Sequence, residues 1–147
     1  MTAETIFTIC NILVLPQWVL MIVAPQAKVT QYLANTYAIP LLLALVYAYL
    51  LATHSAEVNN GGFSSLAQVK NLFSNDYIMV GGWVHYLAFD LIIGSWMLKD
   101  AHKERIIHWL IIPCLLLTFM LGPLGFLVYK IMKRIYPTQT TASYESI

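Results

Sequence analysis

His85 and Asp90 place an imidazole and a carboxylate five positions apart in the run Gly81-Gly82-Trp83-Val84-His85-Tyr86-Leu87-Ala88-Phe89-Asp90. Together they can serve as an acid and a base, one delivering a proton and the other removing one. The surrounding stretch is apolar enough to cross a membrane. An ionisable side chain in hydrocarbon is costly, so its presence points to function by default. A carboxylate there must pair, meet water or take up a proton. Five positions separate the two groups by about 140° around a helix, so they reach different neighbouring helices. His85 alone reads equally as a general acid/base, a metal ligand or a packed, hydrogen-bonded histidine.

Other polar side chains are placed by depth, at about 1.5 Å per residue. Asn11 falls near the level of His85, Gln17 near that of Asp90, and Thr118 near mid-depth. Tyr47 and Tyr49 return toward the His85 level. This is a sparse polar layer. It is expected to face the protein interior, with His85 and Asp90 bordering one cavity shared with Asn11 or Gln17. Trp18, Trp83, Trp96 and Trp109, with Phe63, Phe89, Phe119 and Phe126, supply flat surfaces that suit a long conjugated lipid. Interface belts and core packing use the same rings. The substrate-lining candidates are Asn11, Gln17, Trp18, Trp83, Tyr86, Phe89, Thr118 and Phe119. No HExxH, CxxC, Gly-x-Ser-x-Gly or phosphate-loop pattern occurs, so no metal site is assigned and the cofactor is left unknown. Cys10 and Cys114 lie in apolar runs and read as small buried hydrophobes rather than a disulfide. His102 and His108 fall near span ends. Asp100 with Lys103, or Glu104 with His108, would be ordinary local pairs.

The elements that position these groups are membrane helices. The chain is 59% hydrophobic and 10% charged, with mean hydropathy +0.69. Soluble domains run at roughly 45–50% and about 25%. A net charge of +1 without a basic block argues against nucleic acid. Four spans are expected: about Glu4 to Ala24, about Ala34 to Ala52, Asp76 to Leu98, and Ile106 to about Met132, the last kinked at Gly122-Pro123. No cleavable signal is evident, so the first run reads as a retained span. Residues 25–33 and 99–105 read as short connections. The longer loop 53–75 carries the turn signal Asn59-Asn60-Gly61-Gly62, then Leu66, Val69, Leu72 and Phe73 at helical spacing behind Ser64 or Ser65 as cap. The fold class is therefore all-α: a four-helix transmembrane bundle with a short surface or capping helix in the second loop. A single membrane domain covers 1–136, with a polar tail from 137 to 147. Both termini fall on one side, and the Lys/Arg count across the two sides ties, four against four.

Several motifs occur together. They are Asn11 with Leu15-Pro16-x-Trp18, Gly61-Gly62-Phe63-Ser64-Ser65-Leu66, Gly82 to Leu91, Asp100-Ala101, and Pro113-Cys114-Leu115-x-Leu117-Thr118-Phe119-Met120-x-Gly122-Pro123-x-Gly125. Over nearly the whole chain this resembles the abscisic-acid-deficient-4-like family of small membrane proteins. In plants that family is needed to make neoxanthin from violaxanthin. The resemblance implies a carotenoid or other long conjugated lipid as partner and a multi-pass protein of a bacterial inner membrane or a plastid or thylakoid-type membrane. With no long transit-type extension ahead of the first span, the chain looks like a bacterial or cyanobacterial member or a mature form. The implied chemistry is isomerisation of an epoxy-carotenoid, with a protonated Asp90 as acid and neutral His85 as base and no redox cofactor required, or carotenoid cleavage. A non-catalytic pigment- or lipid-binding subunit of an oligomer or larger membrane complex is the alternative, and a small proton-coupled transporter a third.

Overall fold

A computed structural model describes residues 1–55, 58 and 60–135. Seven helices appear, with no strand among the described residues: α1 (Ala3–Val23), α2 (Lys28–Thr36), α3 (Ala38–His54), α4 (Leu66–Leu72), α5 (Asp76–Lys103), α6 (His108–Leu121) and α7 (Pro123–Ile135). α1 and α5 are each long and apolar enough to cross a membrane, and α2 with α3 make a third span if the broken pair counts as one. The all-α class holds, but among the described residues the helices long and apolar enough to cross number two or three rather than four. Asn59 of the expected turn and the tail 137–147 lie outside the described residues. The helices form two compact units, Met1–Pro16 with Ala38–Phe89, and Gln17–Tyr37 with the chain from Asp90 onward.

In the first unit, α1 runs parallel to α5. Tyr77 Oη donates to the Met1 carbonyl at 3.3 Å, and the Phe7 and Trp83 rings lie 5.7 Å apart. α3 runs the other way. His54 stacks on Tyr77 at 4.0 Å, while Tyr47, almost two turns earlier, meets His85 at 5.3 Å. The expected loop helix is α4. Ser65 caps it by accepting from the Gln68 N–H at 3.3 Å, and none of its residues is buried, which makes it a surface helix. At its end the Phe73 ring lies on Gly82, where a Cβ would come within 2.6 Å of Cε1.

In the second unit, the stretch 25–33 is a helix rather than a plain connection. Thr30 and Ala34, one turn apart, bury one face of α2. Side chains close the turn that precedes it: Thr30 Oγ1 donates to the Ala24 carbonyl at 2.7 Å and Gln31 Nε2 to that of Pro25 at 2.6 Å. α2 stops at Tyr37, whose φ of 52° is left-handed and whose N–H bonds the Leu33 carbonyl. Lys99 Nζ donates to Tyr37 Oη at 2.7 Å and lies 4.1 Å from its ring centre, fixing a conformation that a bulky residue rarely adopts.

The expected fourth span is a hairpin. α5 ends in a Schellman-type cap with Arg105 at φ 56°, where the Ile106 N–H bonds the Ala101 carbonyl at 2.9 Å and that of Arg105 bonds His102 at 3.2 Å. α6 then runs back from His108, and α7 returns alongside α5 in the same direction. Gly122 packs on Asp90, Phe126 and Tyr129 on Trp96, and Lys133 on Asp100 and Glu104. A kinked rod could not make these contacts. At 14 and 13 residues the two helices are about 20 Å long, short of the roughly 30 Å hydrocarbon core. Gly122 makes the corner at φ 49°. Gly125 lets the helices close, because a Cβ there would fall on the Thr118 side chain and backbone and within 2.6 Å of the Cys114 carbonyl.

Two predictions follow from the hairpin. In intact membranes, cysteines introduced at Arg105 and Ile135 will label from one side and a cysteine at Thr2 from the other. Labelling of 2 and 135 from the same side would restore the four-span arrangement. Gly125→Val will lower the stability of the solubilised protein by about 1–3 kcal/mol or more through overpacking. Gly81→Ala, whose Cβ would meet only ordinary contacts at 3.8 Å and beyond, will stay within about 1 kcal/mol of wild type in thermal melts.

Candidate functional site

The ten candidate residues divide evenly between the units, five to each. In the first unit, Trp83 Nε1 donates to Asn11 Oδ1 at 3.1 Å, and Asn11 Nδ2 donates to the Phe7 carbonyl at 2.8 Å. Both ends of the Asn11 amide are therefore used to orient the indole. Tyr86 lies 5.4 Å from Trp83 between ring centres. Two positions beyond Trp83 on α5, His85 sits between Tyr47 at 5.3 Å and Phe89 at 4.7 Å. Trp83 and Phe89 are 41% and 55% exposed, and His85 is exposed as well. The interior placement expected for His85 is thus not observed. The imidazole belongs to an outward aromatic strip, because α5 turns Val84, Leu87 and Ala88 inward instead. An apolar groove of about 330 Å³ also opens in this unit between α1 and α3, lined by Met1, Ile6, Ile9, Cys10, Val46 and Tyr49 among others.

In the second unit, Gln17 is fully buried. Its Nε2 donates to Ser95 Oγ at 2.9 Å, and Ser95 Oγ in turn donates to Met21 Sδ at 3.9 Å. Gln17 Oε1 has no hydrogen-bond partner among the described residues. The Trp18 ring packs against Gly94, where a Cβ would sit 2.6 Å from Cη2, and meets Phe119 edge-on at 5.5 Å. Asp90 is buried, as expected, with Oδ1 against Gly122 where α7 begins. Its carboxyl therefore lies beside the first turn of α7. Thr118 is fully buried, and its hydroxyl donates to the Cys114 carbonyl at 2.8 Å, so it is spent within the hairpin rather than offered to a ligand. The structure brings Asn11, Trp83 and Tyr86 together, His85 with Phe89, Trp18 with Phe119, and Gln17 with Ser95.

Sequence reasoning missed the partners that small residues provide. Gly94-Ser95 is a small pair on one helix, the kind that admits a close neighbour and a hydrogen bond across a membrane interface. It also misread the charged turn. Asp100 accepts from Tyr129 Oη at 2.6 Å and from Lys133 Nζ at 2.8 Å, and Lys133 also reaches Glu104 at 3.2 Å. His108 Nε2 donates to the Ile22 carbonyl at 2.8 Å, and His102 Nδ1 accepts from Gln26 at 3.2 Å, instead of making local acid–base pairs. The hydrogen bond and charge of Asp100, helped by Glu104, raise the Lys133 pKa above the usual lysine value. Such a contribution is complete below the usual lysine pKa and is lost as pH rises through the raised one, so the clasp holds at all physiological pH. Cys10 and Cys114 are buried free thiols. Among the described residues no three His, Cys, Asp or Glu side chains converge as metal ligands would.

Residues 5–129 match the family model described as ABA DEFICIENT 4-like. A curated protein, "Protein ABA DEFICIENT 4, chloroplastic" of Arabidopsis thaliana, is 28% identical over 111 residues, covering 71% of this chain and 50% of that protein. The chain thus spans about half the length of the curated relative it matches. No solved structure matches.

The buried Gln17–Ser95 bond can be tested directly. Ser95→Ala will cost about 0.5–2 kcal/mol by leaving the Gln17 amide N–H unpaired. Adding Gln17→Met will recover most of that loss in the double variant, as read by thermal unfolding in detergent. Strict additivity of the two losses would show that the pair does not interact.

Proposed function

Because the chain belongs to the ABA DEFICIENT 4-like family, we propose that it is a multi-pass membrane protein that binds or modifies carotenoids. The observation that carries this reading is the outward aromatic strip of Phe7, Trp83, Tyr86, Tyr47, His85 and Phe89. A conjugated polyene is long, flat and apolar, and aromatic rings held by a hydrogen-bonded neighbour offer it a fixed surface facing the lipid in which it dissolves. The 330 Å³ groove between α1 and α3 is at the small end for a ligand site and suits an end ring or a length of chain rather than a whole carotenoid.

The reaction in view is conversion of an epoxide to an allenic alcohol. One C–O bond breaks, the oxygen gains a proton, and a carbon loses one as the cumulated double bonds form. No electron is gained or lost, so proton transfer alone is needed. His85 is the imidazole on the strip and takes the role of base. Asp90 is the candidate acid. Its contact with Gly122 also favours a second reading, in which Asp90 serves the hairpin and the protein is a non-catalytic pigment- or lipid-binding subunit.

Expression in a carotenoid-producing host separates these readings. Wild type will shift the pigment profile measured by chromatography. His85→Gln will cut conversion by about 100-fold or more while pigment still copurifies, in keeping with loss of a general base. Asp90→Asn with normal yield and no conversion assigns Asp90 to proton transfer, whereas loss of folded protein in step with conversion assigns it to the hairpin. Pigment that copurifies unchanged supports the binding subunit. An unchanged profile with no bound pigment defeats both readings.

A further inference from the structure

The hairpin redistributes charge. Of the eight Lys and Arg residues, Lys70 lies in the first unit, whereas Lys28, Lys99, Lys103, Arg105, Lys130, Lys133 and Arg134 all lie in the second. In that unit α7 ends beside the C-terminal end of α5, because Lys133 is bonded to Asp100 and Glu104. The segment following α1 lies there as well, through the bond of Gln26 to His102. One end of α5 thus gathers seven of the eight basic residues, where a four-span arrangement would divide them equally. Basic residues clustered beside a membrane face attract anionic lipid, and such clusters favour the cytoplasmic face.

Within that cluster α7 offers a shallow, open site. A cleft of about 490 Å³ is lined by Lys130, Ile131, Lys133 and Arg134. Lys130 Nζ lies 5.8 Å from the Trp96 ring centre and 6.0 Å from that of Phe126, so its ammonium sits over an aromatic shelf. Continuing down α7 from the cleft, Leu124, Leu127, Val128 and Ile131 are all exposed at helical spacing. A cationic cleft at the head of an exposed apolar stripe has the layout of a phospholipid, with phosphate above and acyl chain below. A free phosphate would use the cleft and leave the stripe without a role.

We propose that Lys130, Lys133 and Arg134 seat the phosphate of an anionic phospholipid whose acyl chain lies along α7, holding this end of the protein on the anionic face of its membrane. Lys133 is shared with Asp100 and Glu104, so Lys130 and Arg134 are the groups to remove. The inference is independent of carotenoid binding.

The test is native mass spectrometry of the full chain in detergent, titrated with phosphatidylglycerol or phosphatidylcholine. Wild type will retain phosphatidylglycerol at least tenfold better. Lys130→Gln with Arg134→Gln will erase the preference, at about fivefold per charge removed, with the lipid-free melting temperature unchanged. Lys28→Gln with Lys103→Gln removes equal charge at the same end outside the cleft and will keep the preference. Equal retention of the two lipids overturns the proposal. So does an equal loss in the Lys28/Lys103 control, which would mean diffuse attraction. Displacement of the lipid by millimolar inorganic phosphate would make the cleft a phosphate site and overturn it as well.

Discussion

A sharp reversal of chain direction among apolar helices must satisfy its own backbone, because little else nearby can. The corner at Gly122 does this locally. Its N–H bonds the Thr118 carbonyl at 2.9 Å, and the Gly125 N–H returns to the Gly122 carbonyl at 3.1 Å. Thr118 donates inward to Cys114, and the Asp90 carboxyl packs on Gly122 where α7 begins. Everything downstream depends on this corner. It lets α7 lie parallel to α5, brings Tyr129 and Lys133 to Asp100, and puts the basic end of α7 beside the basic end of α5.

The two ionisable residues that first drew notice therefore occupy different physical settings. His85 is exposed among rings, where its partners impose shape and little polarity. Asp90 is buried against a turn and a helix start, where its carboxyl helps to pack the hairpin whatever chemistry it performs. A proton-transfer group benefits from access, and a clasp benefits from burial.

Much of this arrangement could be read from residue types. Helical class, the extent of α1, the start of α5, the Ser65-capped surface helix and the burial of Asp90 followed from hydropathy, spacing and the cost of charge in hydrocarbon, whereas α5 runs on to Lys103 through residues that read as a connection. The hairpin did not. Residues 106–132 are as long and as apolar as a single tilted span, and Gly-Pro signals a break without giving its angle. What distinguishes a reversal from a kink is Gly125, which matters only once Thr118 and Cys114 are known to lie against it. α2 was hidden for a related reason. Its low apolar content reads as loop until Thr30 and Gln31 are seen closing the turn before it. The outward turn of His85 was missed because an average cost for polar groups in lipid was applied to a side chain that aromatic neighbours partly cover.

That last point bears on how a polyene would be held. An internal cavity would have to open to admit a molecule already dissolved in the bilayer, while an outward strip needs no gate. The Asn11 amide keeps the Trp83 indole in one orientation, so ring order is settled before any ligand arrives, and less rotamer freedom is lost on binding. The same openness leaves one face of a bound polyene to lipid and limits how finely the strip can discriminate among chains of similar length. Discrimination would then rest on the polar ends of the ligand, and the strip itself carries the His85 imidazole and the hydroxyls of Tyr47 and Tyr86. On the proposed carotenoid reading, selection would rest on the oxygenated rings, the part of the molecule on which proton chemistry acts.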